Sequence, residues 1–94
     1  VSKLRKSAQG QECLVRIPGV CSGGVGTTVL AHLGGAGMGR KHPDLLGAFC
    51  CYQCHQAIDG HHKTHYTRDE LKLMHLEGMV RTQLFWIREG FINV

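Results

Sequence analysis

Cys51-Tyr-Gln-Cys54-His55 sets two thiols two residues apart, with an imidazole directly after the second. That is the spacing of a compact metal-binding knuckle, in which a short loop closes two thiolates on one ion. A second thiol pair, Cys13 and Cys21, flanks a turn signal at Pro18-Gly19, which returns the chain so that the two sulfurs can approach. Zinc in a structural role takes four thiolate or imidazole ligands in a closed tetrahedron. The expected ligands are therefore Cys13, Cys21, Cys51 and Cys54. Cys50 is left over, because pairing it with Cys54 would give a less usual C-x-x-x-C. Four buried apolar thiols are the plain alternative. The C-x-x-C-H string also fits covalent haem attachment, which would leave Cys13 and Cys21 unexplained. A thiol oxidoreductase would need a βαβ context that is missing here.

The histidines are the next chemistry-bearing group. His32 closes the apolar, β-branched run 27–33, and His55 opens the helix expected after Cys54. Alone, each is a structural residue as readily as a functional one. A two-stranded ribbon that returns into a helix held by the knuckle brings the two imidazoles face to face. Such a pair suits phosphodiester cleavage: one neutral ring deprotonates a water, while the other holds a divalent cation against the phosphate.

The elements that must position these groups belong to a small chain. Its 94 residues allow one domain with a modest core, for which a metal staple is a natural supplement. Thirteen glycines against two prolines, with 43% hydrophobic and 19% charged residues, exclude a collagen-like repeat and a wholly disordered chain. No apolar run approaches the roughly 18 residues of a membrane span. An odd count of five cysteines suits a reduced, cytoplasmic protein better than a secreted disulfide scaffold. The net charge of +4 makes a polyanion a reasonable partner. Lys3, Arg5 and Lys6 crowd the front of the chain, and Arg40, Lys41 and Lys63 lie in or near later loops.

Residues 1–10 read as a basic, weakly structured arm, and 44–51 as a second strand. The glycine-rich stretch 34–39 lacks the G-x-x-x-x-G-K-[ST] of a phosphate loop and reads as a pliable connection. Thr67-Arg-Asp-Glu70 is a capping box opening a helix of about 33 Å that Gly90 ends. Leu73, Leu76, Val80, Leu84 and Ile87 recur every three or four residues and predict its buried stripe. Met79 and Trp86 lie beside that stripe, and His75 and Gly78 read as packing residues.

Strand-His32, a loop, Pro-Asp44-Leu and C-x-x-C-H entering a helix resemble the HNH (His-Me finger, ββα-metal) endonucleases in their zinc-stapled form. More narrowly, Ile-Pro-Gly-Val-Cys21, Thr-Val-Leu-Ala-His32, Pro-Asp44-Leu, C-x-x-C-H and Glu-Gly-Met-x-Arg-Thr-Gln83 are similar to the YbcO-type nucleases of lambdoid prophages, across nearly the whole chain. The resemblance implies that His32 is the general base and that Asp44, where the family has asparagine, pins the loop through the backbone. It implies that His55 holds a catalytic Mg²⁺ or Mn²⁺ ion. Asp59, one helical turn on, is placed to be a second ligand, with His61, His62 and His65 as competitors. Ala31 precedes the base where the family often has a metal ligand.

The expectation is one α+β domain spanning residues 1–94: a zinc-stapled ββα-metal core (13–66) and a long C-terminal helix (67–90). It would be a phage- or prophage-derived cytoplasmic endonuclease hydrolysing DNA without base readout, with homodimerisation through the helix. The rivals are a zinc-stapled nucleic-acid-binding module without turnover and an adaptor that uses the helix for dimerisation.

Overall fold

The strands are short because the chain spends few residues on them before turning. The computed structural model describes residues 3–23, 25–34 and 42–93. The elements run α1 (Lys3–Lys6), β1 (Val29–His32), β2 (Gly47–Cys50), α2 (Tyr52–Ile58) and α3 (Arg68–Arg88). β1 and β2 pair antiparallel, with Val29 opposite Cys50, Leu30 opposite Phe49, Ala31 opposite Ala48 and His32 opposite Gly47. A side chain at Gly47 would meet Leu30 Cδ1 at 2.9 Å, so the ladder closes beside His32 only with glycine there.

Successive strand residues feed opposite faces, and two cores result. On one face Ala31, Ala48 and Cys50 pack with Val15, Ile17, Ala57, Leu71 and the knuckle cysteines. On the other, Leu30 and Phe49 pack with Ala8 and Trp86. Phe49 meets Phe85 and Trp86 edge-on, with ring centroids 5.4 and 5.9 Å apart.

Three expectations need correction. The second strand is shorter than 44–51: Asp44–Leu46 is a 3₁₀ turn, closed by Leu46 N–H donating to the Pro43 carbonyl at 2.9 Å, and pairing begins at Gly47. The front of the chain is docked and helical from Lys3. Ala8 is buried, and Trp86 Nε1–H donates to Ser7 Oγ at 2.8 Å, so the indole gains its polar partner from this segment.

The third correction concerns α3, whose capping box forms as expected. Thr67 Oγ1 accepts from Glu70 N–H at 3.0 Å, and Glu70 Oε1 accepts from Thr67 N–H at 2.8 Å. The inward face, however, is Leu71, His75, Gly78, Thr82 and Trp86. Leu73, Val80 and Leu84 are 58%, 53% and 52% exposed. At its middle the helix lies too close to the chain beneath it for any side chain: a Cβ at Gly78 would stand 2.8 Å from Val15 Cα. Thr82 Oγ1 accepts from Phe49 N–H at 3.0 Å and donates to Gly78 O at 2.8 Å, serving the buried backbone where an aliphatic side chain would not. His75, Gly78 and Thr82 thus take the middle of the inward face between Leu71 and Trp86, and Leu73, Val80 and Leu84 face out.

Candidate active site and metal centre

The sulfur centre is built from two loops and one helix start. Cys51 caps α2, its Sγ accepting from Cys54 N–H at 3.4 Å, which fixes both sulfurs relative to the helix. Arg16 adopts φ 56°, an uncommon conformation for a residue with a Cβ, and its N–H reaches Cys13 Sγ at 3.5 Å. Gly23, with φ 85°, gives its N–H to Cys21 Sγ at 3.4 Å. The ligand atoms of Cys13, Cys21, Cys51 and Cys54 all lie within 4.8 Å of one another, and Cys21 and Cys51 sulfurs are 3.9 Å apart. Sulfurs about 2.3 Å from one zinc in a tetrahedron stand about 3.8 Å apart. The four cysteines predicted from sequence therefore could hold a metal ion such as zinc. Hydrogen bonds from the Cys50 and Cys54 side chains hold the Cys13 thiol far below the ordinary range, against the effect of burial. Contacts with Cys13 and Cys54, and then burial, drive Cys50 far upward, so it remains a thiol beside the centre.

The end of β1 carries the second group. His32 Nε2 lies 2.5 Å from Asp44 Oδ1, both side chains mostly buried, and Arg5 Nη2 donates to that oxygen at 3.2 Å. A carboxylate accepts at Nε2, so in the neutral ring the proton sits there and Nδ1 keeps a lone pair. Asp44 thus acts on the imidazole itself, a role its sequence position did not suggest. Arg5, expected as a nucleic-acid contact, is tied to Asp44 through one nitrogen and its side chain remains exposed.

On α2, His55 Nε2 stands 3.3 Å from Asp59 Oδ2, one turn away. Adjacent ligands of an octahedral ion with bonds of about 2.1 Å stand about 3 Å apart, so the spacing of the pair is compatible with two positions of such a site. Among the described residues the four cysteines form the one group with three or more ligand atoms this close. The His55–Asp59 pair is open, with side chains 38% and 48% exposed.

A cavity of about 530 Å³ relates these groups. His32, Asp59 and His75 line it, with Ile58, Leu71, Arg68, Asp69 and Lys72. His55 reaches it through Asp59; no hydrogen bond or ion pair joins the His32 and His55 rings. His75 was expected only to pack. It is buried, and its Nε2 lies 2.9 Å from the Ala31 carbonyl, so that nitrogen carries the proton and donates. Burial pushes its imidazole below the ordinary value. The bond to Ala31 opposes this, nearby His55 and His32 add to it, and Asp59 works against it. Sequence reasoning missed Arg68, Lys72 and His75 as lining residues. Their i, i+4, i+7 spacing on a capped helix was the available signal.

The remaining nominees lie elsewhere. His61 Nδ1 pairs with Gln56 Oε1 at 3.2 Å, and His65 stacks on Tyr66 with ring centroids 4.1 Å apart. Lys63 borders a separate depression with Pro18, His62 and His65. Lys3 and Lys6 are exposed on α1. Arg40 and Lys41 lie outside the described residues. No described helix is long and apolar enough to cross a membrane.

A family profile described as "Putative nuclease YbcO" matches residues 2–91. The protein of that name from Escherichia coli (strain K12) and "Putative nuclease ybcO" of Enterobacteria phage 82 are each 48% identical over 97 residues, covering 99% of this chain and 99% of the relative. A solved structure, "Structure of a putative bacteriophage protein from Escherichia coli", is 48% identical, with a TM-score of 0.76 over 94% of this chain and all of that one.

Proposed function

Since this chain belongs to the YbcO family, whose relatives carry the name "Putative nuclease", we propose that it is a metal-dependent HNH-type endonuclease hydrolysing DNA phosphodiester bonds at the His32 cavity. The observation that carries the reading is the 2.5 Å contact between His32 Nε2 and Asp44 Oδ1 at the edge of a cavity that Asp59 also lines. Asp44 holds His32 in one tautomer, so Nδ1 accepts a proton from water and the carboxylate steadies the imidazolium that results. Arg5 in turn holds Asp44. His55 and Asp59 would hold a Mg²⁺ or Mn²⁺ ion, which when bound supplies positive charge against the phosphate. The order β1, β2, α2, with the sulfur centre at the start of α2, supports the HNH-type arrangement.

The test is nicking of supercoiled plasmid with Mg²⁺ or Mn²⁺. His32→Ala should lower the rate by roughly 10²–10⁴-fold, the usual contribution of a general base, while DNA binding and metal content stay the same. A variant that nicks at the native rate would sink the proposal.

A second reading, a nucleic-acid-binding module without turnover, is favoured by Ala31 before the base and by the two-ligand pair at His55. Absence of metal-stimulated nicking by the native chain, with DNA binding intact, would establish it. A homodimer through α3 would rest on the outward row of Leu73, Val80 and Leu84 rather than on the inward face. A mass that rises with concentration in light scattering is its check.

A further inference from the structure

We propose that Arg68 and Lys72 form a phosphate-binding subsite in the His32 cavity, taking the nucleic-acid backbone phosphate next to the one at His32. The position of the cleaved phosphate rests on the nuclease reading; the binding subsite does not. The two residues are four apart in the first turns of α3 and so lie on one face of the helix. Both are exposed, and both line the cavity with His32, Asp59 and His75.

Neither side chain makes a hydrogen bond or ion pair among the described residues, and both stand on the wall of the cavity that holds His32, where no other described lysine or arginine lies. Arg5 is tied to Asp44, and Arg81 Nη1 donates to the Leu14 carbonyl at 2.7 Å. Two acids in the first turn of α3 could have neutralised the pair. Glu70 is occupied by the capping box, and Asp69 lines the same cavity without forming an ion pair with either cation. The Arg68 guanidinium extends toward α2, where a Cβ at Gly60 would stand 3.6 Å from Nη1. It therefore lies at the α2 end of the cavity, where Asp59 also stands. A guanidinium and an ammonium left unpaired on the wall of a cavity of about 530 Å³ suit a multidentate oxyanion. A polyanion adds the counterion release that makes each such contact measurable.

The test is fluorescence anisotropy of the full metal-loaded chain with a labelled duplex of arbitrary sequence, titrated at several KCl concentrations in buffer containing Ca²⁺. The slope of log affinity against log salt should fall in magnitude by about 0.9 in Arg68→Gln/Lys72→Gln, the value for one lost phosphate contact on duplex DNA. Arg68→Lys/Lys72→Arg should keep the native slope, because the charges remain. A native slope in the doubly neutral variant overturns the subsite, as does a native chain without salt-dependent binding. Plasmid nicking is read separately. A chain that does not nick but shows the slope change loses the nuclease reading and keeps the subsite. One that nicks with the slope unchanged loses only the subsite.

Discussion

The sulfur centre and the histidine cavity share one helix and are finished to different degrees. Cys51 caps α2, Cys54 and His55 are neighbours within it and Asp59 follows its last residue, yet only the sulfurs converge. Three of the four cysteines receive a backbone N–H at 3.4–3.5 Å, and three of the four are buried. At and beside the cavity the histidines are paired separately: His32 with Asp44, His55 with Asp59, His75 with the Ala31 carbonyl. A closed set of ligands gives an ion no open position and so suits stability; separated pairs around an open space leave room for water and substrate. One short helix thus joins a cluster that could hold a metal ion to a pair at the edge of an open cavity.

The largest effect that could break this contrast lies at the sulfurs. Cys54→Ser, or removal of metal by a chelator, should unfold the chain, since structural zinc binding contributes on the order of 10 kcal/mol to folding. Circular dichroism would read the loss, and a folded, metal-free Cys54→Ser chain would reduce the centre to four buried thiols. Cys50→Ser, one residue outside the ligand set, should keep the metal and lose only about 1–3 kcal/mol of stability through a buried polar replacement. Metal content per chain distinguishes the two variants.

A smaller effect sharpens the other side of the contrast. Because burial lowers the His75 imidazole, the unfolded chain takes up that proton at a higher pH than the folded one. The contribution to stability is complete above the ordinary histidine value of 6.5 and is lost as pH falls below it. Melting temperatures of the native chain and His75→Gln, measured from pH 7.5 to 5, should diverge less at the acid end, by roughly a few degrees. Protons also compete for the sulfurs, so the native-minus-variant difference is the quantity to read. A difference that stays constant with pH would mean that His75 is not held neutral.

The outer contacts of the staple were readable because they are local or nearly so. C-x-x-C sets its own geometry through the cap of α2, and Cys13 and Cys21 are brought together by one short turn. The capping box at Thr67 and Glu70 is likewise contained in four residues. The inward face of α3 was misread for the opposite reason. Hydrophobic periodicity selects Leu73, Val80 and Leu84, whereas the approach of Val15 to Gly78 and the need of Phe49 N–H for an acceptor select the other side. In the cavity, His32, His55 and Asp59 were nominated from the motif, but the Arg5–Asp44–His32 chain joins residues far apart in sequence.

By itself, then, the sequence determined which four cysteines come together, the existence though not the bounds of the two strands, and the capped helix, since spacing and local hydrogen bonds specify each. Which face of α3 turns inward, which cations stay unpaired beside His32, and what holds its ring were decided only in the tertiary structure. Those outcomes depend on how closely distant backbones approach, and on which buried polar groups each segment leaves for another to satisfy.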